Sequence, residues 1–269
     1  MRALIKIGVS LLLLSFVLIA FAYGMLRTHG QTNPTSAAGR AVGSETRTIA
    51  PGITSVELSG PIDLTLIQGD KPSLKVRGEQ RLLANVATEQ DGNVLHIGTK
   101  GMLFHHRRPL QVELVLPSLA ALEVHGTGDS NVDGFSGERL KVQLFGSGNV
   151  KFNGRFKQVE AGVHGSGDLN LNTGNSDKVA LEMVGSGQIK TSGSCKTLNA
   201  DLNGSGDLDA QHMASDQVTV NLKGSGTTNV FARRSAELTL RGSGDIRVYG
   251  NPDTRNVSRT GSGEVSWNQ

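Results

Sequence analysis

From residue 119 onward, apolar residues occupy alternate positions in short runs that keep returning. The runs are Leu140-Val142-Leu144, Val159-Ala161-Val163, Val179-Leu181-Met183, Leu198-Ala200-Leu202, Val218-Val220-Leu222 and Ala236-Leu238-Leu240. A second alternating pair trails several of them: Val150 and Phe152, Leu169 and Leu171, Leu208 and Ala210, Ile246 and Val248. A period of two with constant apolar parity predicts β-strands buried on one face. Residues 47–118 alternate too, in Val56-Glu57-Leu58, Ile62-Asp63-Leu64-Thr65-Leu66, Leu74-Lys75-Val76 and Val112-Glu113-Leu114-Val115-Leu116. Asp91-Gly92, between Val86-Ala87-Thr88 and Val94-Leu95-His96-Ile97, predicts a hairpin.

Between the two runs of each unit stands a small tripeptide, present eight times. It reads Gly126-Thr127-Gly128, then Gly-Ser-Gly beginning at Gly146, Gly165, Gly185, Gly204, Gly224, Gly242 and Gly261, at spacings of 20, 19, 20, 19, 20, 18 and 19 residues. Strand, glycine bend, strand and turn make one coil. A coil cannot bury its apolar face alone, whereas stacked coils share a core. The expected fold is therefore all-β: a right-handed parallel β-helix of about 19–20 residues per coil, its hand set by the crossover rule. A β-propeller needs about 40 to 45 residues per blade, which would leave only four blades. Both glycines of the tripeptide share the parity of the buried residues. A Cβ there is expected to point into a narrow corner or to require positive φ. The last unit breaks the pattern with Arg255, Val257 and Arg259 before Gly261 and ends at Trp267, as a polar terminal cap would. Residues 47–118 are expected to begin or cap the same solenoid, and residues 119–269 to hold the eight repeats.

Composition agrees with this reading. Glycine accounts for 35 of 269 residues, and 16 of them lie in the tripeptides. One cysteine, Cys195, excludes a disulfide framework and any multi-cysteine metal site. Ahead of the repeats, Arg2 and Lys6 precede an uncharged stretch from Ile7 to Leu26 that contains Leu11-Leu12-Leu13-Leu14. Residues 1–26 thus read as a signal peptide, with Ala20-Phe21-Ala22 resembling a cleavage site, or as a single membrane anchor through residues 7–26. Either sends the remainder out of the cytoplasm, to the periplasm or the cell surface. Residues 27–46 read as a flexible linker. Without residues 1–22 the chain carries 25 basic and 24 acidic side chains, so the excess positive charge that nucleic-acid binding needs is missing.

The Val56-Glu57-Leu58-Ser59-Gly60 strand, the Leu116-Pro117-Ser118-Leu119 segment and the Gly-Ser-Gly-Asp repeats together resemble the head GIN domain family of autotransporter adhesins. The resemblance spans about residues 47–269. It implies an exported bacterial β-helical domain, and it carries no active-site residues.

Candidate chemistry is sparse. The residue after each tripeptide runs Asp129, Asn149, Asp168, Gln188, Asp207, Thr227, Asp245, Glu264. Such a ladder could offer oxygens to calcium, yet aspartates two coils apart would lie roughly 9.6 Å from one another. Its alternation is better suited to keeping like charges apart while the side chains satisfy turn backbone. His125 and His164 flank Phe145 one coil apart and cannot easily share an ion, and His105-His106-Arg107-Arg108 reads as an exposed basic loop. No Gly-x-Ser-x-Gly elbow or phosphate loop occurs. No catalytic, cofactor-binding or metal residue, and no cofactor, is assigned. The expected function is a non-catalytic envelope module holding a protein or glycan ligand, with a polysaccharide-acting β-helix enzyme as the alternative.

Overall fold

A computed structural model describes residues 41–101 and 109–268. The leader expected at residues 1–26, most of the linker and the His105-His106-Arg107-Arg108 run lie outside the described residues. Among those described, no helix is long and apolar enough to cross a membrane.

Six long strands wind through the repeats: β9 (Asp129–Gly146), β10 (Asn149–Gly165), β11 (Asp168–Gly185), β12 (Gln188–Gly204), β13 (Asp207–Gly224) and β14 (Thr227–Gly242). Each pairs in parallel with the next, as Val159↔Val179↔Leu198↔Val218 illustrates. The protein is a β-solenoid of about seven turns, bounded by the eight glycine corners. From β9 to β14 the glycine tripeptide is the one interruption per turn. The second bend that the sequence suggested stays within the ladder and appears as a register shift, for example between Asn172 and Asn175. All eighteen apolar residues of the six runs before the glycine corners are buried, and the trailing pairs lie in the same core.

Two corner positions show why glycine recurs. Gly185 sits at φ +133°, and a Cβ on Gly187, whose φ is ordinary, would come within 3.0 Å of the Gly167 carbonyl oxygen. The obstacle is the backbone of the preceding coil rather than the narrow interior of the corner. That oxygen is engaged already, because Gln188 N donates to Gly167 O at 3.3 Å. Corners thus stack backbone on backbone, and only a residue without a side chain permits it.

The first part of the chain enters the stack out of order. It comprises β2 (Ser55–Gly60), β3 (Ile62–Gln68), β4 (Ser73–Glu79), a short helix α1 (Gln80–Leu83), β5 (Val86–Asp91), β6 (Val94–Thr99), β7 (Leu110–Leu116) and β8 (Ala121–Gly126). Strand β2 lies between β6 and β8, and β3 lies between β7 and β9, all in parallel. The β6–β7 layer is therefore outermost although it follows β2–β3 in sequence. Antiparallel strands close this end: β5 on β6 through the Asp91-Gly92 turn, β4 on β7, and β1 (Val42–Arg47) on β4. Strand β1 occupies the end of the stretch read as linker, which stops short of residue 42. Leu82 and Leu83 of α1 plug the core, and Arg47 donates to the carbonyl oxygens of Leu83 (2.9 Å) and Val86. A nearly buried ion pair, Arg81 Nε to Glu79 Oε2 at 2.8 Å, completes the plug.

The other end finishes with β15 (Asp245–Tyr249), β16 (Thr254–Thr260) and β17 (Val265–Asn268). Arg255 and Arg259 replace the core column of Ala236 and Leu240. The Arg255 guanidinium lies 4.7 Å from the centre of the Trp267 ring, and Arg259 donates to Gly263 O at 3.0 Å. These groups end the apolar core with satisfied polar atoms, which guards against edge-to-edge addition.

Candidate functional surface

Because the backbone is consumed by the stack, any recognition falls to outward side chains, which form columns at one residue per coil. The ladder after the glycine corners is largely used in holding coils together. Asp63, Asp207 and Asp245 accept hydrogen bonds from the backbone N–H of Asp129 (3.1 Å), Thr227 (2.7 Å) and Glu264 (3.1 Å), each one coil on. Asn149 donates its side-chain amide to Asp129 at 2.8 Å, and Asp168 is flanked by Asn149 and Gln188. The carboxylates bond across coils rather than to their own turns; Asp129, Asp168 and Asp207 are separated by Asn149 and Gln188, whereas Asp63 with Asp129 and Asp245 with Glu264 stand on adjacent coils. Among the described residues, no three His, Cys, Asp or Glu side chains are grouped to hold a metal ion.

His125, Phe145 and His164 stand on successive coils, as their spacing implied, and there they form a ring stack. Their rings stack along the solenoid axis, with centroids 4.6 and 4.8 Å apart and planes within 5° and 10° of parallel. His125 Nε2 lies 2.6 Å from Glu123 Oε1, and His164 Nε2 lies 3.2 Å from Gln143 Oε1. The ring faces are spent on one another, so the strip presents edges. The corner serines are exposed, and Ser262 donates to Ser243 Oγ at 3.0 Å. Cys195 is buried beside the Ser215 hydroxyl at 3.2 Å, and burial pushes its thiol pKa up, so it is poorly suited to nucleophilic work.

Two adjoining grooves lie on the face of the strands that precede the glycine corners. A groove of about 500 Å³ runs past Glu160, Ala180, Glu182, Asp201 and Lys223. A second, of about 290 Å³, runs past Arg139, Lys141 and Lys178 and shares Glu160 and Ala180 with the first. The depression lies where the outward position Ala180 carries little side chain, whereas the other small outward position, Gly162, is covered by a neighbour. Ala180 stands in the row Lys141, Glu160, Ala180, Asn199, and Gly162 stands between Gln143 and Glu182. The Gln143 amide folds over Gly162, where a Cβ would collide with it. Small residues at outward positions were the available sequence signal, but inward parity drew the reading away from them.

Comparison with known proteins agrees with the architecture. Residues 53–252 match the model of a family described as "Putative auto-transporter adhesin, head GIN domain". No curated protein matches the chain. Among solved structures, a "putative adhesin" from Parabacteroides distasonis ATCC 8503 superposes with a TM-score of 0.79 at 24% identity, covering 85% of this chain and 97% of its own. A "putative adhesin" from Parabacteroides merdae ATCC 43184 gives 0.78 at 20% identity, covering 85% and 96%. A "Putative lipid binding protein" from Parabacteroides distasonis ATCC 8503 gives 0.76 at 23%, covering 84% and 97%. At such identities the likeness is one of fold.

Proposed function

The chain belongs to the head GIN domain family, and from that premise we propose that it is an exported, non-catalytic envelope module that holds a partner on its grooved face. The supporting observation is the pair of adjoining grooves on one strand face, which share Glu160 and Ala180. A rigid solenoid displays such a face without needing to move, which suits adhesion. A polysaccharide-acting enzyme would require an acid and a base aimed at one bond. The Asp177 carboxyl, held low by hydrogen bonding and attraction to Lys196, is exposed and ion-paired rather than set in a cleft. The N-terminal apolar stretch supplies export, either as a removable signal or as a lasting anchor.

Two measurements test this. A β-lactamase fused to the C-terminus of the full chain should protect bacterial cells from ampicillin, and absence of protection would overturn export. A glycan and peptide array, run with parallel turnover assays, should give binding without product. Cleavage of any glycan would overturn the non-catalytic reading.

A further inference from the structure

The charges lining the two grooves are sorted by sign. Arg139, Lys141 and Lys178 line one, while Glu182 and Asp201 line the other with Glu160 at the junction and Lys223 at the far end. Elsewhere the solenoid pairs such charges across coils, as Lys157 with Glu138 at 2.7 Å, Lys196 with Asp177 at 2.7 Å and Arg233 with Asp216 at 3.6 Å. In the grooves only Lys141 and Glu160 approach, at a loose 3.8 Å, and Asp201 accepts from the Asn221 amide. Among the described residues, Arg139, Lys178, Glu182 and Lys223 make no ion pair or side-chain hydrogen bond.

Resting on the reading of this face as the binding surface, we propose that its ligand is a short extended peptide with carboxylates toward one end and amines toward the other. The carboxylates lie against Arg139, Lys141 and Lys178, and the amines against Glu160, Glu182 and Asp201. Elimination leads to this class. A polyanion meets the three carboxylates, a polycation meets the three clustered basic groups and then Lys223, and each arrangement puts like charges together. A neutral glycan can hydrogen-bond to both sets but gains nothing from their separation by sign, and the stacked His125, Phe145 and His164 rings turn faces toward one another rather than forming an open platform. Strand addition is closed to the ligand because both neighbours of these central strands are in place. Length agrees as well. The charged lining residues span five successive layers, from that of Lys141 to that of Lys223, or about 19 Å at the usual strand spacing. That corresponds to about six extended residues.

The test uses the full chain in detergent and fluorescent, end-capped hexapeptides of four kinds: acidic half followed by lysine half, all-acidic, all-lysine and neutral. Polarisation should show binding of the mixed peptide, weakened at least tenfold by 0.5 M NaCl. The pair Glu182→Gln with Asp201→Asn, and the pair Lys141→Gln with Lys178→Gln, should each weaken it about tenfold. All four are surface positions, and circular dichroism verifies the fold. Replacing Glu182 and Asp201 by lysine should transfer preference to the all-acidic peptide, a change that loss of structure cannot produce. Equal binding of all four peptides, or variants without effect, would overturn the proposal. A glycan that binds this face and is lost in the same variants would overturn the peptide class and leave the surface reading standing. If nothing on the array binds this face, both readings fall.

Discussion

Replacing corner glycines by alanine separates two costs that the corner combines. Gly185 carries both: φ is +133°, and an added Cβ would meet the backbone oxygen of Gly165. Strain of this backbone kind costs about 1–3 kcal/mol. The Gly165 oxygen also accepts from Ser186 N at 2.9 Å, and displacing it loses a net contribution of about 1 kcal/mol. Stiffening of the unfolded chain returns about 0.4–1 kcal/mol. Gly185→Ala should therefore cost about 2–3 kcal/mol, a fall in Tm of roughly 4–12 °C for a domain of this size. Gly187→Ala has the collision without unusual φ and should cost about 1–2 kcal/mol, because Gln188 N shares the displaced Gly167 oxygen. Gly52→Ala supplies the converse control, since φ is +92° but no atom lies within 4 Å of the new Cβ. It should cost about 1 kcal/mol. Ser186→Ala, on the exposed middle residue, should stay within about 0.5 kcal/mol. Calorimetry with urea melts measures the series, with coincidence of the two transitions checking that the solenoid unfolds as a unit. If Gly187→Ala proves as mild as Ser186→Ala, backbone stacking is not what selects glycine.

Other outcomes follow from single sites. Cys195 should react with a thiol reagent at pH 8 far more slowly in the native protein than in urea, since burial both shields it and raises its pKa. Asp207→Ala removes the acceptor of Thr227 N–H, so amide exchange at Thr227 should accelerate at least tenfold. Phe145→Ala breaks both ring stacks and should cost about 1–2 kcal/mol in urea melts. The Asp177 carboxyl is held below the ordinary 3.8 by hydrogen bonding and attraction to Lys196. Its small contribution to stability is thus present above that value and lost as pH falls through the lowered one. NMR titration should place its midpoint below 3.8 and return it toward 3.8 in Lys196→Ala.

The solenoid was legible in the chain because a strand with one buried face writes its period directly, and a corner that tolerates no Cβ writes glycine at fixed intervals. Leu198, Ala200 and Leu202 are buried as their parity requires, and Arg255 and Arg259 cap the core as their place at its end implied. Order of stacking was not legible. Strands β2 and β3 alternate like their neighbours, and no local feature states that they enter between layers formed by later residues; hydrogen-bond pairing in space decides that. Nor was it legible that Val42–Arg47 joins the sheet, because an edge strand with little buried surface has weak alternation. The grooved face belongs to the same category. Arg139, Lys178, Glu182 and Asp201 are scattered in sequence and ordinary one by one. Register between coils brings them to one surface, and the small side chain of Ala180 leaves the hollow between them. Periodicity thus determined what lies inside this protein, since burial acts on each strand separately, while the outside was decided by which coil lies beside which.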